Sequence, residues 1–171
     1  MTHWRIRRLN HSDSAEFRRL RLEALRLHPE AFAASYEEAA QLDPEELARR
    51  FLSPPSCVFG GFADSGALVG IVALMGSTLP KLRHKASLVS VYVAAHQRNT
   101  GLGRALLVAA LTYARETGLS IVQLHVTAGN EAAYHLYEDL GFRLFGVEPR
   151  SLCVNDVFYD THMMVLDLDR D

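Results

Sequence analysis

The sequence predicts a mixed α/β fold built as a single domain over 1–171, with a sheet of about six to seven strands flanked by about four helices. Three observations predict it. Two apolar runs, "SCVFGGFA" and "ALVGIVALMG", flank a "DSG" turn and read as an antiparallel hairpin. Downstream, "SLVSVYV", a glycine-containing turn, a helical pattern and "IVQLHV" follow one another as a strand–helix–strand unit. The 171 residues, 49% of them apolar, suffice for one hydrophobic core, and no repeat, linker or low-complexity tract divides them.

Each element follows in order. "WRIRRL" reads as the first strand. "SDSAEFRRLRLEALRLHP" reads as a helix, with Asp13 and Glu16 as its capping box. Phe17, Leu20, Ala24 and Leu27 step by three and four along one face. Pro29 ends this helix by disfavouring a helical His28. In "LDPEELARRFL", Asp43 caps a second helix, Pro44 takes its first position and Glu46 closes the box. After the hairpin, "PKLRHK" is a basic loop and "SLVSVYV" a strand rich in β-branched residues. "GRALLVAALTYARETG" is a helix with Gly118 at its C-terminal cap, and "NEAAYHLYEDLG" is one stopped by Gly141. "FRLFGV" and "DTHMMVLDL" are the last strands, separated by a loop around Pro149. The order is β-α-α-β-β-β-α-β-α-β-β.

Bulk properties exclude several classes. Net charge is −2 with no block of like charge, which argues against nucleic acid and membrane surfaces as partners. No stretch approaches the roughly 20 apolar residues that span a bilayer, and "MTHWRIRRLN" is too polar for a signal peptide. Cys57 and Cys153 stand alone, which points to a reducing, cytoplasmic setting. The eight histidines show no H-x-H or H-E-x-x-H spacing, so no metal is expected.

The stretch "QRNTGLGRALL" joins the third good strand to its helix. Bare backbone and positive charge at a helix start suit a phosphate, because free N–H groups and the helix dipole attract anions. A P-loop would need lysine and a hydroxyl where Arg104 and Ala105 stand. A dinucleotide fingerprint would need a third glycine at Leu106. The remaining pattern is R-x-x-G-x-G, met by Arg98, Gly101 and Gly103.

A second motif follows the next strand. Asn130, Ala133, Leu136, Tyr137, Gly141 and Phe142 form N-x-x-A-x-x-L-Y-x-x-x-G-F. With "VYVAAHQRNTGLGRALL", this resembles the GCN5-related N-acetyltransferase (GNAT) family, strongly from Leu88 to about Val147 and less specifically in "LRLEALRLHPEAFAASYEE". The resemblance implies the GNAT fold, an N-acetyltransferase domain, and acetyl-CoA as donor. In that family a bulge splays the strand before the loop from its parallel neighbour, and pantetheine lies in the gap. Coenzyme contacts are then expected at Val91, Tyr92 and Val93, at Arg98, Asn99, Thr100, Gly101, Leu102, Gly103 and Arg104, and at Asn130 and Tyr137. Val91 and Val93 would offer backbone groups to pantetheine amides, and one N–H there could hold the oxyanion.

The implied chemistry is transfer of acetyl to a primary amine by direct attack in a ternary complex. Tyr137 occupies the family's general-acid position, and a phenol stays protonated at neutral pH. Tyr134 is the fallback donor. The base is less defined, since the strand from Ser87 to Val93 has no carboxylate. Ser87 or Ser90 could hold a water, His84 lies just outside, and His125 sits on the neighbouring strand. Tyr36, Glu37 and Glu38 could attract a cationic amine, although an exposed helix also carries such residues. The acceptor is a small-molecule or protein amine. A catalytically weak acyl-CoA-binding regulatory module of the same fold is the alternative. Many relatives dimerise through late strands, and the apolar "HMMVLDL" is the segment expected to make a homodimer.

Overall fold

The computed structural model describes residues 4–169. The first three residues of the polar N-terminal stretch and the outer limits of the expected 1–171 domain lie outside them. One seven-stranded sheet organises the chain in the order β1-β2-β3-β4-β5-β7-β6. Its strands are β1 (Trp4–Arg8), β2 (Cys57–Ala63), β3 (Leu68–Met75), β4 (Lys85–Val93), β5 (Ile121–Thr127), β6 (Arg143–Val154) and β7 (Val157–Asp167). Every neighbouring pair is antiparallel except β4 and β5. The helices are α1 (Ser14–Leu27), α2 (Tyr36–Gln41), α3 (Pro44–Phe51), α4 (Leu102–Glu116) and α5 (Glu131–Asp139).

The β2–β3 hairpin forms as expected and is buried almost end to end, because helices cover both sheet faces. Neighbouring residues of β4 show which helix covers which face. The Tyr92 hydroxyl donates to Glu23 of α1 at 3.0 Å. Val93 points the other way, its Cγ2 3.7 Å from where a Cβ on Gly103 of α4 would sit. Successive strand side chains alternate faces, so α1 and α4 pack on opposite sides. α3 joins α1 through the Phe17–Phe51 edge contact at 5.6 Å. α5 shares the α4 side, since Leu136 Cδ2 lies 3.9 Å from the same Gly103 position.

Local expectations fail where tertiary partners compete. Asp13 does not cap α1 with Glu16. Its carboxylate instead closes a box with Asn10 at the turn before the helix, and Arg7 grips both oxygens at 2.7 Å. An opposite charge outbids the helix N–H groups. Leu27 is half exposed, and the buried stripe of α1 runs Phe17, Leu20, Arg21, Ala24, Leu25. Asp43 caps α3 by accepting from the Glu46 N–H at 2.7 Å, without a return bond from the Glu46 side chain. The connection between the first two expected helices holds a further one, α2, capped by a Ser35–Glu38 box. Pro149 is not in a loop between strands. β6 runs through it with a register shift between Glu148 and Leu152, tolerable because β6 is an edge strand. The chain turns at Asn155 and Asp156, both left-handed at φ 49° and 63°, as a tight hairpin requires.

The Arg7–Asp13 pair makes a pH prediction. The Arg7 hydrogen bonds hold the Asp13 carboxyl below the usual carboxylate range. Its contribution is therefore full above the unfolded-state pKa of about 3.9 and is lost as pH falls through the lower folded value. Asp13→Ala should cost about 1 kcal/mol in denaturant unfolding at pH 7. The deficit should shrink as the pH approaches 3, and a deficit independent of pH would mean the ion pair contributes nothing.

Candidate active site

The site begins with a defect in pairing. β4 pairs with β5 only through Lys85↔Ile121, Ala86↔Val122 and Ser87↔Gln123. Beyond Ser87 the strands part. On its other side, β4 has Ser90 and Val91 opposite the single residue Val72, a bulge with Ser90 at φ 52°. The Ala94 N–H bonds Val69 of β3, whereas the Val93 carbonyl accepts from Arg98 Nε at 3.2 Å. The Val93 backbone thus faces away from β3, toward the gap.

A cavity of about 470 Å³ fills the parting and passes through the sheet. Ser87 to Val91 and Leu124 to Thr127 form its strand walls, with Asn130, Ala133 and Tyr137 on the α5 side. Phe32, Arg21, Arg50 and Phe51 border it on the α1–α3 side. Among the described residues lining it there is no Asp or Glu.

At the end of β4 the chain turns through left-handed Asn99 (φ 61°) and Gly101 (φ 89°) into α4. Gly101 is the N-cap and supplies no side chain, and the first turn carries no acid. Among the described residues, no backbone carbonyl receives the N–H groups of Asn99 to Arg104. Thr100 Oγ1 donates to the Gln97 carbonyl at 2.7 Å, which closes the turn. Gly103 has no packing reason to be glycine, because a Cβ would meet only Val93 and Leu136 at ordinary contact distances. Bare backbone beside unbonded donors is what a bulky phosphate needs, so the residues present fit the donor.

The two loop arginines are already engaged. Arg98 also lies 2.8 Å from His28 Nε2, and Arg104 pairs with Asp139 at 2.9 Å. Each guanidinium keeps further donors. Tyr92 is turned from the gap, its side chain toward Glu23 and its backbone paired with Ile71 of β3. Asn130 is the N-cap of α5, its Oδ1 accepting from the Ala133 N–H at 3.4 Å, so its NH₂ remains to donate.

Tyr137 is 6% exposed and lines the cavity, and its hydroxyl has no hydrogen-bond partner among the described residues. Burial pushes its pKa far above the usual phenol value. Tyr134 lies outside the cavity lining, stacked edge-on to His162 at 5.2 Å. Of the base candidates, Ser87, Ser90 and His125 line the cavity, with His125 Nδ1 3.9 Å from Glu148. His84 stands at the closed end, where its carbonyl accepts from Ser120 and Ile121. Tyr36, Glu37 and Glu38 do not line the cavity, and Glu38 is held in its capping box. The α1–α3 side of the cavity carries arginines instead. Arg21 was readable as a charge on the apolar stripe of α1, whereas nothing local marks Arg50.

The model of the Acetyltransferase (GNAT) family matches residues 17–142. The chain belongs to the GNAT family. Mycothiol acetyltransferase of Rhodococcus jostii is 36% identical over 130 residues, 72% of this GNAT chain and 42% of its own length. N-acetyltransferase family 8 member 3 of Rattus norvegicus is 32% identical over 105 residues, 61% of this chain and 46% of its own. The chain thus spans less than half the length of these curated relatives. Among solved structures, a GNAT-family acetyltransferase from Streptococcus pneumoniae matches with a TM-score of 0.85 at 26% identity, over 96% of this chain and 99% of that one. For yncA of Salmonella typhimurium, solved with its cofactor acetyl-CoA, the TM-score is 0.83 at 23% identity, over 99% and 96% of the two chains, a likeness of fold.

Proposed function

We propose that this GNAT domain moves an acetyl group from acetyl-CoA to a primary amine by direct attack in a ternary complex. The carrying observation is the opened β4–β5 seam, with Tyr137 on one side and unbonded N–H groups at the start of α4. The loop from Arg98 to Arg104 takes the pyrophosphate. Val91 and Val93 offer backbone groups to pantetheine in the gap, and Asn130 donates to an amide carbonyl.

The amine nitrogen attacks the thioester carbon, and the carbonyl electrons move to oxygen, held by a β4 N–H. Collapse breaks the carbon–sulfur bond, and the Tyr137 hydroxyl gives its proton to the departing thiolate. The proton lost by the amine goes to His125 or to water at Ser87 and Ser90, and solvent restores Tyr137. Two lone thiols, one buried and one exposed, fit the cytoplasmic setting proposed for this reaction. An acceptor screen with acetyl-CoA, read by thiol release, tests the reading, and the name of the Rhodococcus relatives makes mycothiol chemistry a starting point. The lack of a carboxylate among the described lining residues favours a second reading, a regulatory acyl-CoA binder. Coenzyme binding with no thiol release across all amine pools would establish it.

A homodimer is part of the proposal, but through a different surface from the one expected. The segment His162–Leu168 lies largely inside the sheet, since β7 sits between β5 and β6. Leu144, Phe145, Val147, Val157 and Phe158 of β6 and the hairpin tip are the exposed apolar residues there, each 43–55% exposed. Light scattering should give twice the monomer mass, and Phe158→Glu should return it to one.

A further inference from the structure

We propose that the amine acceptor carries an anionic group, a carboxylate above all, that seats against Arg21 on the α1 side of the cavity. The inference deepens the acetyl-transfer reading and rests on it. Three of the four arginines on α1 differ in one respect. Arg18 spends its donors on the Leu42 and Ala40 carbonyls, both at 2.8 Å. Arg19 bonds the Leu68 carbonyl at 2.8 Å and pairs with Glu16. Arg21 is 8% exposed and makes no hydrogen bond or ion pair among the described residues, and its Nε is wholly enclosed.

A guanidinium taken out of water normally brings an acid with it, because an uncompensated buried charge is costly. Here the charge acting on Arg21 is another cation. Arg50 of α3 borders the same cavity, and burial followed by the Arg50 charge lowers the Arg21 pKa. Both guanidinium carbons lie near the Phe51 ring, at 4.9 Å for Arg21 and 5.5 Å for Arg50. With no carboxylate among the described lining residues, the counter-charge must come from what enters the cavity. The phosphates of the donor do not supply it, since their loop opens α4 on the other sheet face. A planar fork of donors matches a carboxylate in two parallel bonds.

The competing account is that Arg21 only stacks on Phe51 for stability. It predicts that Arg21→Met lowers the melting temperature. The acceptor account predicts an unchanged or higher one, because an unneutralised buried charge is replaced by an apolar chain of similar reach.

The test uses ω-amino acids from glycine to 5-aminopentanoate, each against its own amide, with acetyl-CoA. The best acid should exceed its amide in kcat/KM by about ten- to a hundredfold. The ratio should fall toward one in Arg21→Met. A second arm needs no turnover. Calorimetry of propionate, butyrate and pentanoate against their amides, on the protein loaded with coenzyme A, should show binding of an acid only, lost in Arg21→Met. Equal behaviour of acids and amides in the wild type overturns the proposal even if the variant does not fold. So does a preference that survives in Arg21→Met. Acids that bind while no amine is acetylated leave the anion site standing and remove the transfer reading. Amines acetylated without regard to the acid do the reverse.

Discussion

Tyr137→Phe should lower kcat by roughly 10²-fold or more, the range for lost general-acid catalysis, while acetyl-CoA affinity and melting temperature hold. The side chain is buried against Phe142, with ring centroids 5.8 Å apart, and the phenyl ring keeps that packing. The hydroxyl has no partner to lose among the described residues, so its removal orphans none of their groups. Burial raises its pKa, so the phenol stays protonated at neutral pH, as a proton donor must. Loss in kcat alone places the role in the transition state. An acyl donor with a better leaving thiol needs the proton less and should partly rescue the variant. Wild-type turnover in Tyr137→Phe, with chemistry shown to limit the rate, would remove Tyr137 from the mechanism. Water would then be the donor, since Tyr134 does not line the cavity.

Gly103→Val should fold and yet bind acetyl-CoA about ten- to a hundredfold more weakly, the size of one or two lost bonds to a charged group. The free protein has room for the added Cβ, whose nearest neighbours are the tips of two side chains, Val93 Cγ2 at 3.7 Å and Leu136 Cδ2 at 3.9 Å. Helix propensity adds no cost, since valine is a better helix former than glycine. The γ-methyls displace only those two side-chain tips in the free protein, whereas a ligand pressed against the backbone would meet them directly. Gly101 is the wrong place for this test: at φ 89° any side chain strains the turn, and folding and binding would fail together. Calorimetric affinity that matches the wild type would reject the pyrophosphate assignment at Gly103.

The legible parts of the sequence were those whose cause is local. The hairpin, the R-x-x-G-x-G turn and the helix from Asn130 to Tyr137 each carry their signal within a few residues. The S-x-x-E from Ser35 to Glu38 is a capping-box signature of the same kind, although the expected element order held no helix there. Other features arise between elements. Asp13 answers to Arg7 on β1, and its helix-start pattern is overridden. The bulge at Ser90 follows from the register of β4 against β3, which no window of β4 encodes. Pro149 stays inside β6 because that strand has one free edge, a property of sheet order. At the site, Tyr137 and the loop were readable as motifs, while Arg21 and Arg50 meet only once α1 and α3 have packed.

The three-residue junction of β4 and β5 also makes the sheet two blocks joined by a short weld. Backbone amides beside the parting have little to protect them from hydrogen exchange until a donor lies in it. Occupancy and cohesion are then one equilibrium. A donor at a hundred times its Kd adds about 2.7 kcal/mol to folding, and that gain should be read most strongly at the amides flanking the weld. The protein would be most fragile when starved of its donor, so its lifetime in a protease-containing compartment would track donor supply.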